Sequence, residues 1–182
     1  LSAEQWATLC DEVDTIYHNG ALVNYLLDYE RMKPANVSGT EEILKFAFTG
    51  KPKYFNHIST TFIFGWALKD RLMEDDGNDA MEHLDFGYSQ SKWVSEQMVK
   101  DAMSKGLAGR IFRPSLVTPS LQGGGENFDI TIRLLLFMIT HGIGASAKNQ
   151  LSFMPADVTA DNIVAIGNPP ASIGGNFHIV RD

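Results

Sequence analysis

Strand-like and helix-like segments alternate along nearly the whole chain, and this alternation constrains the fold more than any other feature of the sequence. Ser2–Val13 reads as a helix: Ser2 stands at the cap position, and Gln5 three residues on completes a capping box. Thr15-Ile16-Tyr17 follows as a short buried strand that ends at His18-Asn19-Gly20-Ala21. Between Pro34 and Phe48 the apolar positions Val37, Ile43, Leu44 and Ala47 recur at helical spacing, and Gly50 stops the helix. Lys53–Ser59 reads as a strand, and Leu68–Glu82 as a charged surface loop. Tyr88–Lys105 reads as a long helix closed by Gly106, and Arg110–Arg113 as a strand closed by Pro114. Ile130–Thr140 and Asp157–Ile166 read as helices and Phe177–Val180 as a last strand. Such alternation predicts an α/β fold with a mainly parallel sheet.

Composition narrows the function classes. With 182 residues the chain is long enough for one domain with a sizeable core. A formal net charge of −7 offers no basic surface for nucleic acid, so no nucleic-acid partner is expected. The longest apolar run, Leu134–Ile139, falls far short of the roughly 20 residues that span a bilayer, so no membrane association is expected. Cys10 is the single cysteine; it allows neither an internal disulfide nor a paired zinc motif, which suits a reducing, cytoplasmic setting. The histidines show no zinc-like spacing, and the acidic run Glu74-Asp75-Asp76 with Asp79 reads as a solvated loop, so no metal site is expected. Leu1-Ser2-Ala3-Glu4 has no basic stretch leading into an apolar one, which argues against a secretory leader. It also lacks an initiator methionine, as a chain cut from something longer would.

Chemistry concentrates in Gly87-Tyr88-Ser89-Gln90-Ser91-Lys92-Trp93. Tyr88 and Lys92 stand four apart at the start of a helix and share a face. A tyrosine alone is a poor acid near neutrality, with a reference pKa of about 10. A neighbouring ammonium favours the phenolate and makes the pair a usable general acid. The spacing by itself is common in helices and equally describes an exposed amphipathic turn. Its context says more. Upstream, a strand ends in Ser59-Thr60-Thr61 and runs to Gly65. Ligands of parallel α/β sheets bind at the carboxyl ends of strands. A hydroxyl there can hydrogen-bond a carbonyl oxygen and the oxyanion that develops from it. Thr60 also suits a helix cap, and Phe62, Phe64 and Trp66 suit either an acyl channel or core packing.

The order His18-Asn19-Gly20-Ala21, Asn36-Val37-Ser38-Gly39-Thr40, Ser59-Thr60, Tyr88-x-x-x-Lys92 and Arg113-Pro114 resembles the extended short-chain dehydrogenase/reductases. The string Gly87–Glu96 looks like the thioester reductase domains that end nonribosomal peptide synthetases, some polyketide synthases and carboxylic acid reductases. Met154-Pro155-Ala156-Asp157-Val158 is similar to a Pro-Val-Asp-Tyr-Val segment of those domains. The resemblance covers nearly the whole chain. It implies the C-terminal portion of a Rossmann-like doubly wound parallel sheet with part of a small substrate lobe. Residues 1–126 would form the catalytic part and 127–182 the lobe and last strand. The implied activity is an NADPH-dependent reduction that releases a carrier-protein-bound acyl or peptidyl thioester as an aldehyde or alcohol.

The same resemblance implies roles for individual residues. Thr60 would be the catalytic hydroxyl, with Ser59 as the adjacent alternative. Tyr88 would donate the proton, and Lys92 would lower the phenol's pKa and hold the nicotinamide ribose. Asn19, Gly20, Ala21 and Ser59 would line the cofactor, and Pro114 to Val117 would meet the nicotinamide. Asn36 would support the site, or serve as a buried polar residue bonding backbone. The implied partner is an acyl- or peptidyl-carrier protein with a phosphopantetheine thioester. A fatty acyl-CoA reductase, a nucleotide-sugar epimerase or dehydratase, and a non-catalytic carrier-binding module keep enough of these motifs to stand as alternatives.

One family element is missing from the sequence. The family begins with a strand, a Gly-x-x-Gly-x-x-Gly turn and a helix, whose N-terminus and glycine backbone hold the pyrophosphate. The nearest match, Gly142-Ile143-Gly144-Ala145, follows a helix and reads as a loop. The resemblance places Leu1 after the family's third strand, so the chain alone is expected to be inactive. Without those strands, Thr15–Tyr17 would present a bare apolar edge. That edge is expected to be covered by self-association or a rearranged segment, or to be poorly ordered.

Overall fold

A computed structural model of the chain describes residues 1–65, 69–123, 130–144, 146 and 152–181. Its strands are β1 (Thr15–His18), β2 (Tyr54–Ile58), β3 (Ala108–Pro114), β4 (Leu116–Thr118), β5 (Phe153–Pro155) and β6 (Asn176–Ile179). β1, β2, β3 and β6 form one sheet in that order, and every pair is parallel. All of β3 after Ala108 is buried, as befits a strand covered on both faces. β4 and β5 make a separate parallel pair. Three residues each are too few for a hydrophobic period to register, and neither strand is expected from the sequence.

The helices are α1 (Ala3–Glu12), α2 (Tyr29–Lys33), α3 (Gly39–Phe48), α4 (Gly87–Ser104), α5 (Ile130–His141) and α6 (Ala156–Gly167). The capping box of α1 forms as expected, with Ser2 and Gln5 exchanging side-chain to backbone hydrogen bonds of 2.8 and 3.2 Å. The second helical stretch differs from expectation. It starts at Tyr29, capped by Asp28, and Pro34 lies inside it rather than at its head. Pro34–Ser38 forms a π-helical turn between α2 and α3. Proline has no N–H to donate and crowds the preceding turn. A widened turn is where a helix can absorb both faults.

Helices cover both sheet faces, the doubly wound arrangement. On one face Leu44 and Ala47 of α3 and Val99 and Ala102 of α4 pack on Phe55 and Ile111. On the other, Ile163 of α6 joins Phe112, Met154 and Ile179. Among the described residues β1 pairs with β2 alone, so the expected rearranged covering segment is not found there. Trp66 and the expected boundary between residues 126 and 127 lie outside the described residues. No helix among the described residues is long and apolar enough to cross a membrane.

The loop entering α2 lies directly on the start of α4. A Cβ added at Gly87 would stand 2.4 Å from the Asp28 carbonyl carbon and 2.5 Å from the Leu27 oxygen. Both neighbours are backbone and cannot swing aside. Gly87→Ala is therefore expected to cost about 1–3 kcal/mol in urea unfolding. Gly77→Ala, where a Cβ meets nothing within 4 Å, should leave the midpoint unchanged.

Candidate active site

Because β1, β2 and β3 run parallel, His18, Ile58 and Pro114 all end on one side of the sheet. Ser59 and Thr60 carry the chain past β2 on that side. The Ser59 N–H donates to the Phe112 carbonyl at 2.6 Å. Thr60 then caps the 3₁₀ turn Thr61–Phe64, its hydroxyl accepting from the Phe62 N–H at 3.2 Å. The cap and the catalytic candidate are thus the same residue.

α4 brings Tyr88 and Lys92 to this end. The face it turns inward changes character along its length. Tyr88, Ser91, Lys92, Ser95 and Glu96 are buried in its first half, and Val99 and Ala102 join the apolar core in its second. The exposed amphipathic turn that the spacing alone would allow is thereby excluded. The Thr60 hydroxyl lies close enough to the Tyr88 phenol to favour its ionised form. Ser59 instead donates its hydroxyl to Glu96 at 2.7 Å. Of the two candidate hydroxyls, that of Ser59 is thus committed to Glu96, and that of Thr60 acts on the phenol.

Lys92 Nζ donates to the Ile58 carbonyl at 2.7 Å, across the end of β2. Asn19, Gly20 and Ala21 follow β1 and are exposed. Pro114 closes β3, and Val117 lies half-buried in β4. Asn36 sits in the π-turn, 2% exposed, and does not reach the phenol. Its Oδ1 accepts from the Leu22 N–H at 2.7 Å, while its Nδ2 donates to the Leu22 carbonyl and to Ser91 Oγ. It holds loop backbone and α4 together, as a buried polar residue bonding backbone does.

Electrostatics depart from the expected activation of Tyr88 by Lys92. Burial, with Tyr25 nearby, pushes the Tyr88 phenol up to about 12, against the smaller lowering effect of the Thr60 hydroxyl. Burial likewise brings Lys92 down to about 8, with Glu96 opposing. Desolvation leads, and Lys92 Nζ is turned to the Ile58 carbonyl. His18 is lowered to about 4, by burial first and Lys92 second. Thr40 gives its hydroxyl hydrogen to the Asn36 carbonyl, so His18 Nε2 must be the donor to Thr40 at 2.9 Å. His57, wholly buried beside His18, falls well below its usual value through burial, and neither ring nitrogen has a hydrogen-bond partner among the described residues.

Beneath the site lies a buried ion pair. Arg113 donates from Nη2 to Glu96 Oε1 at 2.7 Å and from Nε to Oε2 at 3.2 Å, with both side chains fully buried. Burial would raise the Glu96 carboxyl, but Arg113 and Lys100 hold it below the usual range. Arg113 Nη1 also donates to the Glu74 and Asp76 carbonyls. The acidic run expected as a solvated loop is therefore pinned through its backbone. Its Glu74 carboxylate accepts from the His178 N–H at 2.9 Å, and its Asp76 pairs with Lys69. Phe64 packs over the Arg113 guanidinium, whereas Phe62 faces Tyr88. Tyr25 also stands against Tyr88 and is itself backed by Phe86, and neither is signalled in the sequence.

Comparison with known proteins matches this geometry. A family model described as "Male sterility protein", an NAD-binding family, matches residues 1–163. The chain belongs to this family. The terminal R domain from the myxalamid PKS-NRPS pathway superposes with a TM-score of 0.94 and 37% identity. It is covered over 47% of its length by the whole of this chain. A thiolation-reductase di-domain from an archaeal non-ribosomal peptide synthetase gives a TM-score of 0.76 and 25% identity, covering all of this chain and 41% of that one. A linear gramicidin synthase of Brevibacillus parabrevis is 35% identical over the whole chain, which spans 4% of that protein. The fold is thus the Rossmann-like fold of reductase domains, matched over part of their length.

Two measurements follow from the buried charges. His18 and His57 bind fewer protons folded than unfolded, so their contribution is complete above about pH 6.5 and is lost as pH falls toward 4. The urea midpoint should drop between pH 7.5 and pH 5, and drop less in His18→Gln; a flat profile would contradict this. Arg113→Met strands the Glu96 carboxylate and should cost about 3–5 kcal/mol. Adding Glu96→Leu should recover part of that loss in the same assay.

Proposed function

We propose that this chain carries the acid and oxyanion-binding side of an NADPH-dependent reductase that releases a carrier-bound acyl or peptidyl thioester as an aldehyde. The observation that carries the reading is the convergence of Thr60, Tyr88 and Lys92, all buried, at the carboxyl end of a parallel sheet. Identity of 37% with an R domain over the full chain supports the substrate class. The archaeal di-domain supports a carrier domain as partner. A reducing cytoplasmic setting suits the free, buried Cys10. The open side of β1 would accept a further strand, from a longer chain or a second copy.

The residues present fit the nicotinamide end of the cofactor. Lys92 has one ammonium hydrogen on the Ile58 carbonyl and two others for ribose hydroxyls. Asn19, Gly20 and Ala21 would line the cofactor, and backbone from Pro114 to Val117 would meet the nicotinamide. Ser59, its hydroxyl given to Glu96, would contribute through backbone. The sequence contains no Gly-x-x-Gly-x-x-Gly turn for the pyrophosphate. NADPH, when bound, supplies the hydride.

The protein's own part is proton management. The thioester carbonyl oxygen would accept from the Thr60 and Tyr88 hydroxyls. As negative charge gathers there, Tyr88 gives up its proton and a hemithioacetal forms. The phenolate then recovers that proton as the carbon–sulfur bond breaks, and the thiolate departs from the aldehyde. Burial serves this order of events, since a phenol near 12 stays protonated at neutral pH until the oxyanion develops.

NADPH titration of this chain beside an N-terminally extended protein tests the reading. Binding should be weak or absent in the first and clear in the second, which should also reduce an acyl-phosphopantetheine thioester to aldehyde. Tyr88→Phe in the extended protein should cut kcat about 10²-fold or more and leave cofactor affinity within about twofold. Unchanged turnover would remove Tyr88 as the acid.

A further inference from the structure

The loop between β1 and α2 is fixed at each end and in its middle. Asn36 holds both the N–H and the carbonyl of Leu22. Asn24 Oδ1 accepts from the Leu26 and Leu27 N–H groups at 2.8 and 3.2 Å, closing a turn around Tyr25. Leu27 and Asp28 then lie on Gly87 with no room for a side chain between them. Nothing in the proton transfer described above uses this loop, yet its construction delivers one side chain to the acid.

That side chain is Tyr25. Its ring stands edge-on to Tyr88 with centroids 5.6 Å apart, edge-on to Phe86 at 5.8 Å, and tilted against Phe62 at 5.7 Å. Phe62 in turn meets Tyr88 edge-on at 6.5 Å. These rings come from the loop after β1, the 3₁₀ turn after β2 and the residue capping α4. Two segments distant in sequence thus bring Tyr25 and Phe62 against the ring of Tyr88, which is 8% exposed, while Phe86 backs Tyr25. Edge-to-face contacts are directional, unlike aliphatic packing, and resist rotation of the ring they touch.

We propose that Tyr25 is a positioning residue for the acid, its ring bracing that of Tyr88 so that the phenol stays on the oxygen it must protonate. The proposal rests on the reductase reading for its kinetic consequence, though not for its structural one. A group acting at hydrogen-bond range tolerates little displacement, and a misplacement near 1 Å costs about 10²-fold in rate. The ring of Tyr25 does the bracing, so phenylalanine should replace it and smaller side chains should not.

The test compares Tyr25→Phe, Tyr25→Leu and Tyr25→Ala in the N-terminally extended protein. Tyr25→Ala and Tyr25→Leu should lower kcat about 10-fold with NADPH affinity held, and Tyr25→Phe should stay within about twofold of the parent. Leucine retains bulk, so its failure to rescue separates bracing from simple filling. Ring rotation of Tyr88, read by NMR with isotope-labelled tyrosine, gives a readout independent of turnover. It should quicken in Tyr25→Ala and Tyr25→Leu but not in Tyr25→Phe. Parent protein inactive on thioesters, with Tyr88 rotation still quickened in Tyr25→Ala, would sink the reductase reading and leave the bracing standing. Unchanged rotation in Tyr25→Ala, or equal loss of rate in Tyr25→Phe and Tyr25→Ala, would overturn the bracing.

Discussion

Arg113 and Glu96 meet where no water reaches, and much of the chain is arranged around that contact. Desolvating two charges is expensive, and their attraction offsets it only when the remaining donors and acceptors are also satisfied. Here they are. Glu96 takes Ser59 and Lys100 as well as the guanidinium. Arg113 spends a third nitrogen on two carbonyls of the loop at Glu74 and Asp76. The pair therefore joins four parts of the fold: the middle of α4, the central strand β3, the residue after β2, and a loop that in turn holds β6 through His178. Moving Glu96 would release Ser59, and Thr60 is the next residue.

Above this anchor the site is buried, and burial sets its electrostatics. Tyr88, Lys92, His18 and His57 are all buried, and burial pushes each toward its neutral form. For the acid role proposed for Tyr88, neutrality is the useful resting state. The lysine that spacing alone casts as an activator is held by a strand-end carbonyl, where its geometric role is plainer than its electrostatic one. The two imidazoles beside it carry no charge near neutrality and so do not compete with it.

The alternation of elements, the four strands of the main sheet and the trio Thr60, Tyr88 and Lys92 were legible in the sequence because each rests on a local pattern. Capping chemistry announced α1, and Gly106 with its left-handed φ of 103° announced the end of α4. What stayed hidden depends on contacts between distant residues. Pro34 looks like a helix start because proline favours the first turn; only the packing of α2 on α4 shows that the helix began earlier. Glu74–Asp76 looks solvated because acidic runs usually are, and nothing local reveals that Arg113 reaches its carbonyls. Tyr25 and Phe86 are ordinary loop aromatics until the loops meet. That the Ser59 hydroxyl is taken by Glu96 was likewise hidden.

The π-turn at Pro34–Ser38 has a geometric effect beyond tolerating its proline. In a regular α-helix, steps of four residues overshoot a full turn by about 40°, so a column of every fourth side chain drifts around the axis. Met32, Asn36 and Thr40 are spaced by four, yet all three face inward, at 0%, 2% and 1% exposure. The wide turn subtracts the drift and resets the phase between α2 and α3. One helical stretch can then present a packing residue to the core, an amide to α4 and a hydroxyl to His18 along a single line. The proline is thus a phase shifter: it converts a helix whose neighbours would spiral apart into a straight rail connecting the core to the edge of the site.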